Sequence, residues 1–217
     1  MSVQVTDYFQ AALLVRPGSM IHLTGVTWDD YVNLTTGDCD LPGRRIYYDS
    51  GTMDIMAPLP IHEDSKGLIH DLVIILADEL GLEIESLGST TLRNEPRGKG
   101  AEADDCFYLG SRPQITGRES LNLERDRPPD IVIEIDTTSE SLGKFPIYRA
   151  LGVQEIWRYD GERAYFYRLV GDDYQTVAAS PSFPILKSER LRAFLDIGKT
   201  QSQSAARRAF RSWLRGR

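Results

Sequence analysis

Glu134 stands inside the run Pro129-Asp130-Ile131-Val132-Ile133-Glu134-Ile135-Asp136. The isoleucines and the valine favour a strand, and a near-continuous apolar run predicts one buried on both faces. A carboxylate within such a strand is costly unless it is paired, protonated or bound to a metal. The preceding apolar stretch, Ala103–Leu109, offers Asp104, and the segment after the strand offers Lys144. Two carboxylates on neighbouring strands can hold one or two Mg²⁺ ions, because hard cations take oxygen ligands and keep some water. A lysine beside them can orient or deprotonate an attacking water and stabilise charge developing on a phosphate. At a helix start the dipole helps lower its pKa. By type and spacing alone the same three residues also make an ordinary ion pair, so both readings stand here.

The elements that must position these residues read as follows. Residues 1–25 carry weak periodicity and read as an irregular lead-in. Thr27 is a candidate N-cap, with Asp29 and Asp30 in the first helical turn. Gly37 to Gly43 reads as a loop. Arg45–Asp49 and Thr52–Met56 flank Ser50-Gly51, which predicts a β-hairpin. From His62 to Gly81 the apolar residues take a helical period. Strands are expected at Glu83–Leu87, Thr90–Arg93 and Ala103–Leu109, with a charged loop from Asn94 to Gly100. Gly110 to Arg127 reads as a polar, mobile loop. A short helix fits Lys144–Leu151, with Pro146 tolerated in its first turn. Val153–Tyr159 and Arg163–Leu169 form a second hairpin across Asp160-Gly161. A last strand at Tyr174–Ala178 and a short helix at Ser188–Leu195 follow.

The chain has 217 residues, 41% hydrophobic and 26% charged, with a net charge of -7. That length suits one packed domain, expected over residues 1–198, with a basic helical tail over 199–217. The negative balance argues against broad wrapping of nucleic acid but not against a local basic groove. The tail carries Lys199, Arg207, Arg208, Arg211, Arg215 and Arg217 and no acidic residue. Ala206, Phe210, Trp213 and Leu214 share helical spacing, which predicts an amphipathic helix docked on the acidic body. Cys39 and Cys106 lack metal-ligand spacing and are expected to be reduced thiols. Ala11–Val15 is too short for a membrane span, so a soluble cytoplasmic protein is expected.

Several blocks, in order, resemble the Uma2 family of endonucleases within the PD-(D/E)XK restriction-endonuclease-like superfamily. Thr27-Trp28-Asp29-Asp30-Tyr31 is similar to the family's opening TWEEY. Tyr48-Asp49-Ser50-Gly51 and Met53–Pro58 resemble its YDxGxLEIMSP hairpin, and His62-Glu63 the start of its long helix. Glu102-Ala103-Asp104 resembles EPD, and Pro129–Ile135 resembles PDLVIEV. Lys144–Tyr148, Gly152–Trp157 and Phe210–Trp213 also fit. The resemblance implies an α/β fold with a central mixed sheet flanked by helices, an N-terminal β-hairpin and a C-terminal amphipathic helix. It implies Mg²⁺-dependent hydrolysis of DNA phosphodiester bonds, with Mn²⁺ as a substitute ion. Asp104, Glu134 and Lys144 take the catalytic positions, and Asp104, Glu134 and Ile135 the metal contacts. Glu63 and His62 are accessory groups. DNA is the expected partner, no membrane is involved, and a homodimer is plausible for cutting two strands.

Two departures from the family pattern stand out. Ala103 replaces the proline before Asp104, and Asp136 occupies the place where an E-x-K pattern puts lysine. The rival reading is therefore a catalytically silent nuclease fold that binds nucleic acid or a partner protein. Other residues invite blander assignments. Asp130 spells part of the motif but suits an outer structural role. His62 and His70 read as a solvated helix edge rather than zinc ligands. Trp157 and Tyr159 read as core or cross-strand packing rather than a base-stacking platform.

Overall fold

The computed structural model describes residues 5–36, 41, 43–110, 121–136 and 141–216. From Val5 onward the lead-in holds regular elements, contrary to the sequence reading: α1 spans Val5–Leu13 and β1 spans Met20–Thr24. Their signal is weak because Tyr8 and Ala12 of α1 bury into the core while β1 is an edge strand with alternate residues exposed. Helix α2, Trp28–Thr35, starts at Thr27, whose hydroxyl accepts from the Asp30 amide while Asp30 answers the Thr27 amide. This reciprocal cap satisfies donors that a helix start otherwise leaves open.

The expected hairpin is β2, Arg45–Asp49, and β3, Thr52–Met56. Ser50 and Gly51 take φ of 46° and 99°, the left-handed pair that a tight two-residue turn requires. The 21-residue α3, Pro60–Leu80, then leads into β4, Ile84–Ser86, and β5, Thr91–Asn94. The stretch expected as a charged loop instead carries β6, Lys99–Glu102. Gly100 is required there: a Cβ would meet the Tyr31 hydroxyl at 2.3 Å. Strand β7, Asp105–Leu109, follows directly. Most of the expected mobile loop, residues 111–120, lies outside the described residues, as do Cys39 and residues 137–140. Its far end holds the short β8, Leu121–Asn122.

Strand β9, Ile131–Ile135, is wholly buried. A 3₁₀ turn, Ser141–Lys144, feeds α4, Phe145–Leu151. Then come β10, Glu155–Tyr159, β11, Ala164–Val170, and β12, Asp173–Val177. Helices α5, Ser188–Thr200, and α6, Gln203–Arg215, end the chain.

The fold is mixed α/β, as expected, with its strands shared between two mixed sheets. One has the order β1-β3-β2-β6-β5-β8 and the other β12-β11-β10-β9-β7-β4. Because β6 runs into β7 through Ala103 and Asp104, the chain crosses between the sheets at that point. Helix α3 covers one face of the second sheet through Leu68, Leu72, Leu76, Phe107, Ile131 and Ile133. Helix α4 covers the other through Ile147, Tyr148, Val132 and Ile156. Trp157 and Tyr159 belong to the buried core, as read from the sequence. The tail helix docks as expected: Phe210 is buried, Arg207 pairs with Asp71 of α3, and Arg215 lies 2.6 Å from Glu79. Arg208 and Arg211 face solvent.

Candidate active site

Strand register brings the two acidic residues together. In the antiparallel pairing of β7 with β9, Asp105 lies opposite Ile133. Continued by one residue, that register sets Asp104 opposite Glu134, where facing side chains are neighbours on one face. Asp104 Oδ2 accepts from the Ile135 amide at 2.8 Å, which ties it to the strand that carries Glu134. Both carboxylates are fully buried.

Lys144 closes the group. Its Nζ donates to Glu134 Oε2 at 2.9 Å and to the Tyr47 hydroxyl at 2.8 Å, and lies 4.0 Å from the centre of the Tyr47 ring. The Tyr148 hydroxyl donates to Glu134 Oε1. Asp104 has its own cation: Arg45 Nε is 3.3 Å from Oδ1. The same guanidinium reaches Glu102 Oε1 at 3.3 Å, Glu63 Oε1 at 3.5 Å and Ser89 Oγ at 2.9 Å. The site therefore lies at the junction of the two sheets. Arg45 and Tyr47 come from the first, Glu134 and Ile135 from the second, and Lys144 and Tyr148 from the α4 segment.

The electrostatics differ between the two acids. Burial pushes Glu134 up, the Asp104 charge adds to this, and Lys144 and Tyr148 only partly oppose it, leaving a pKa of about 7. Burial also acts on Asp104, but His62, Lys144 and Arg45 outweigh it and hold the carboxyl below its usual range. Glu102 is pushed up to about 7 by burial, against the pull of Arg45. Burial and then the Glu134 charge push Tyr148 well above an ordinary tyrosine, so its hydroxyl stays a donor.

Of the accessory residues, His62 is brought into the site and Glu63 reaches it through Arg45. His62 Nε2 is 3.0 Å from Asp104 Oδ2, a paired distance without hydrogen-bond alignment. Glu63 is half-exposed and pairs with Lys66 at 3.4 Å as well as with Arg45. The solvated-edge reading of the histidines is corrected. His62 is 1% exposed, and His70 Nδ1 binds Asp105 Oδ2 at 2.7 Å. Asp104, just before β7, and Asp105, its first residue, thus each pair with a histidine from α3. Asp130 has the outer role expected, accepting from the Leu109 amide at 2.6 Å and from Arg127 at 2.9 Å. Asp136 pairs with Arg158 of β10. Arg45, Tyr47, Tyr148 and Arg158 were not expected at the site; Tyr148 stands in the block Lys144–Tyr148 that resembles the family, and no motif marks the other three.

The oxygen donors available to an ion are Asp104 and Glu134, whose four oxygens face Arg45, the Ile135 amide, Lys144 and Tyr148. Among the described residues no three His, Cys, Asp or Glu side chains close around a common point, so a transition-metal cage is not built. Two opposed carboxylates match the sparse protein ligation of Mg²⁺, which completes its shell with water and phosphate. The buried His62 ring sits against Asp104, with Nε2 3.0 Å from Oδ2, so that oxygen already faces a histidine.

No helix among the described residues is long and apolar enough to cross a membrane. No curated protein matches the chain. A crystal structure of "a putative nuclease belonging to DUF820" from Anabaena variabilis superposes with a TM-score of 0.55. At 15% identity it covers 77% of this chain and 98% of its own, which shows a shared fold. A model of the family Uma2, described as "Putative restriction endonuclease", matches residues 28–194. The chain belongs to the Uma2 family.

Proposed function

We propose that this protein hydrolyses phosphodiester bonds of DNA with Mg²⁺, which Mn²⁺ can replace, at the site formed by Asp104, Glu134 and Lys144. The observation that carries the reading is the buried Lys144–Glu134 bond set opposite Asp104. Asp104 and Glu134 would hold the ion, with the Ile135 backbone beside them. Such an ion supplies charge to neutralise a phosphate and lowers the pKa of bound water. Lys144 holds three donors at the same point, one on Glu134 and one on Tyr47, and can orient a water or a phosphate oxygen with the third. Tyr148 fixes the other Glu134 oxygen. Arg45 keeps Asp104 ionised and aimed.

A second reading is favoured by a specific observation. Both carboxylates are fully buried and already paired with the chain's own cations, and Asp136 stands in the E-x-K lysine position, paired with Arg158. These features suit a nuclease fold that binds without cutting. Calorimetric titration of Mg²⁺ and Mn²⁺ into the wild type and Asp104→Asn, beside a plasmid-nicking assay, separates the two. The hydrolase reading expects metal binding and nicking in the wild type and loss of both in the variant. No metal binding and no nicking in the wild type would hand the case to the silent binder.

A further inference from the structure

The face of the second sheet that carries Glu134 does not end there. In the parallel pairing of β9 with β10, Glu134 lies beside Arg158, and in the antiparallel pairing of β10 with β11, Arg158 lies beside Tyr165. Laterally paired residues share a face, so Glu134, Arg158 and Tyr165 form one row across three strands. Two strand spacings separate its ends, about 10 Å. The Arg158 guanidinium lies 5.5 Å from the Tyr165 ring centre. Next to Tyr165 on the same face is Tyr167, with ring centres 6.3 Å apart and planes 34° from parallel. Phe145 props Tyr167 edge-on at 4.9 Å. Unlike Trp157 and Tyr159, which are sealed in the core, Tyr165 and Tyr167 are partly exposed.

A row of partly exposed rings has a ready structural use as cross-strand packing, and Tyr167 packs by one side against the cluster under α4, whereas Tyr165 lies outside the buried clusters. Tyr165 is anchored from its rim, with its hydroxyl bonded to Asp160, and from Arg158. That arrangement fixes the ring without covering it completely. Aromatic rings on a sheet face, beside a guanidinium, are the chemistry that stacks unpaired bases. In a duplex the base faces are covered by their neighbours, and such rings have nothing to stack on.

We propose that Tyr165 and Tyr167, with Arg158, form a stacking platform for unpaired bases of a single nucleic-acid strand running from β11 toward Glu134. The inference rests on the nuclease reading for why nucleic acid would lie on this face, but its test does not need cleavage. A short fluorescein-labelled oligothymidylate and a blunt duplex are titrated with the full chain in EDTA, read by fluorescence anisotropy. Tyr165→Ala is expected to weaken single-strand binding roughly 5- to 150-fold, the range for one lost stacking contact. Tyr165→Phe, which keeps the ring and gives up only its bond to Asp160, is expected to lose far less single-strand binding than Tyr165→Ala, and duplex binding should be the same in all three. Thermal melts identify any variant that fails to fold, and the corresponding Tyr167→Ala and Tyr167→Phe pair then replaces it. Equal loss of single-strand and duplex binding, a loss in Tyr165→Phe as large as in Tyr165→Ala, or no single-strand binding by the wild type overturns the platform. Ring-dependent binding without metal-dependent nicking would sustain it while removing the hydrolase reading.

Discussion

Two buried glutamates, one on β9 and one on β10, meet opposite fates. Glu155 is 2% exposed and is satisfied by neutral donors alone: the Trp157 indole at 2.5 Å, the Ser180 hydroxyl at 2.6 Å, and the Ser182 amide and hydroxyl at 2.8 and 2.6 Å. Both of its oxygens are occupied, and the effect is to clamp the 180–183 turn onto the sheet. Glu134 is equally buried, but its partners are an ammonium and one hydroxyl, and a second carboxylate stands opposite. Neutral donors arranged around a carboxylate stabilise one fixed state. A like charge opposite and an ammonium beside it leave a carboxylate poised between states, which is the condition for chemistry. Burial of an acid is therefore not the mark of a site here; the character of its partners is.

If that contrast holds, the largest effect falls on rate. Lys144→Ala should lower plasmid nicking by roughly 10²–10⁴-fold, the worth of one positioned acid–base group. Mg²⁺ affinity measured by calorimetry should stay close to wild type, because the two carboxylates remain. An unchanged rate would reduce Lys144 to a structural counter-ion, like any other buried pair.

The counterpart on β10 should act on stability instead. Glu155→Ala strips partners from an indole N–H, a backbone N–H and two hydroxyls at once. Unmade buried hydrogen bonds of this kind should together cost about 3–5 kcal/mol, readable in a urea unfolding curve. A variant that still folds should nick plasmid at a rate near wild type. A large rate loss in folded protein would erase the distinction between the two acids.

The smallest effect is a pH dependence with a definite sign. The Glu134 pKa stands at about 7 in the folded chain against an ordinary value of 4.5. Between these values the unfolded chain loses this proton first, so the folded state loses stability as pH rises, and above about 7 the full cost is present. Glu134→Gln imitates the protonated acid. Its melting temperature should match wild type at about pH 4 and exceed it at about pH 8. The reverse order would mean that Lys144 and Tyr148 more than repay the burial of the charge.

How much of this could be read from the sequence follows the same division. Glu134 was legible because an acid inside an isoleucine-rich strand contradicts its surroundings. The Thr27 cap, the Ser50-Gly51 turn and the tail helix were legible because each is set by residues a few positions apart. Lys144 was identified by resemblance and not by spacing. Arg45 and Tyr47 were invisible because they reach Asp104 and Lys144 across long stretches of chain, through a pairing of β2 with β6 that no local pattern announces. Strand β6 was hidden by Gly98 and Gly100, which look like loop residues although Gly100 is what admits the Tyr31 ring. The division of the strands into two sheets was hidden for the same reason, since propensity specifies strands and not their neighbours. For His62 the solvated-edge reading fails, since the residue is buried against Asp104 of another segment, a contact its own helix does not announce.

The central claim is that Glu134, and not its buried neighbour, belongs to a phosphodiester-cleaving centre. The most direct test is plasmid nicking by Glu134→Gln and Glu155→Gln side by side in Mg²⁺, at equal concentrations of protein shown to be folded by circular dichroism. Glu134→Gln is expected to fall to the rate of an EDTA control while Glu155→Gln cuts near the wild-type rate. Nicking by Glu134→Gln at the wild-type rate would contradict it.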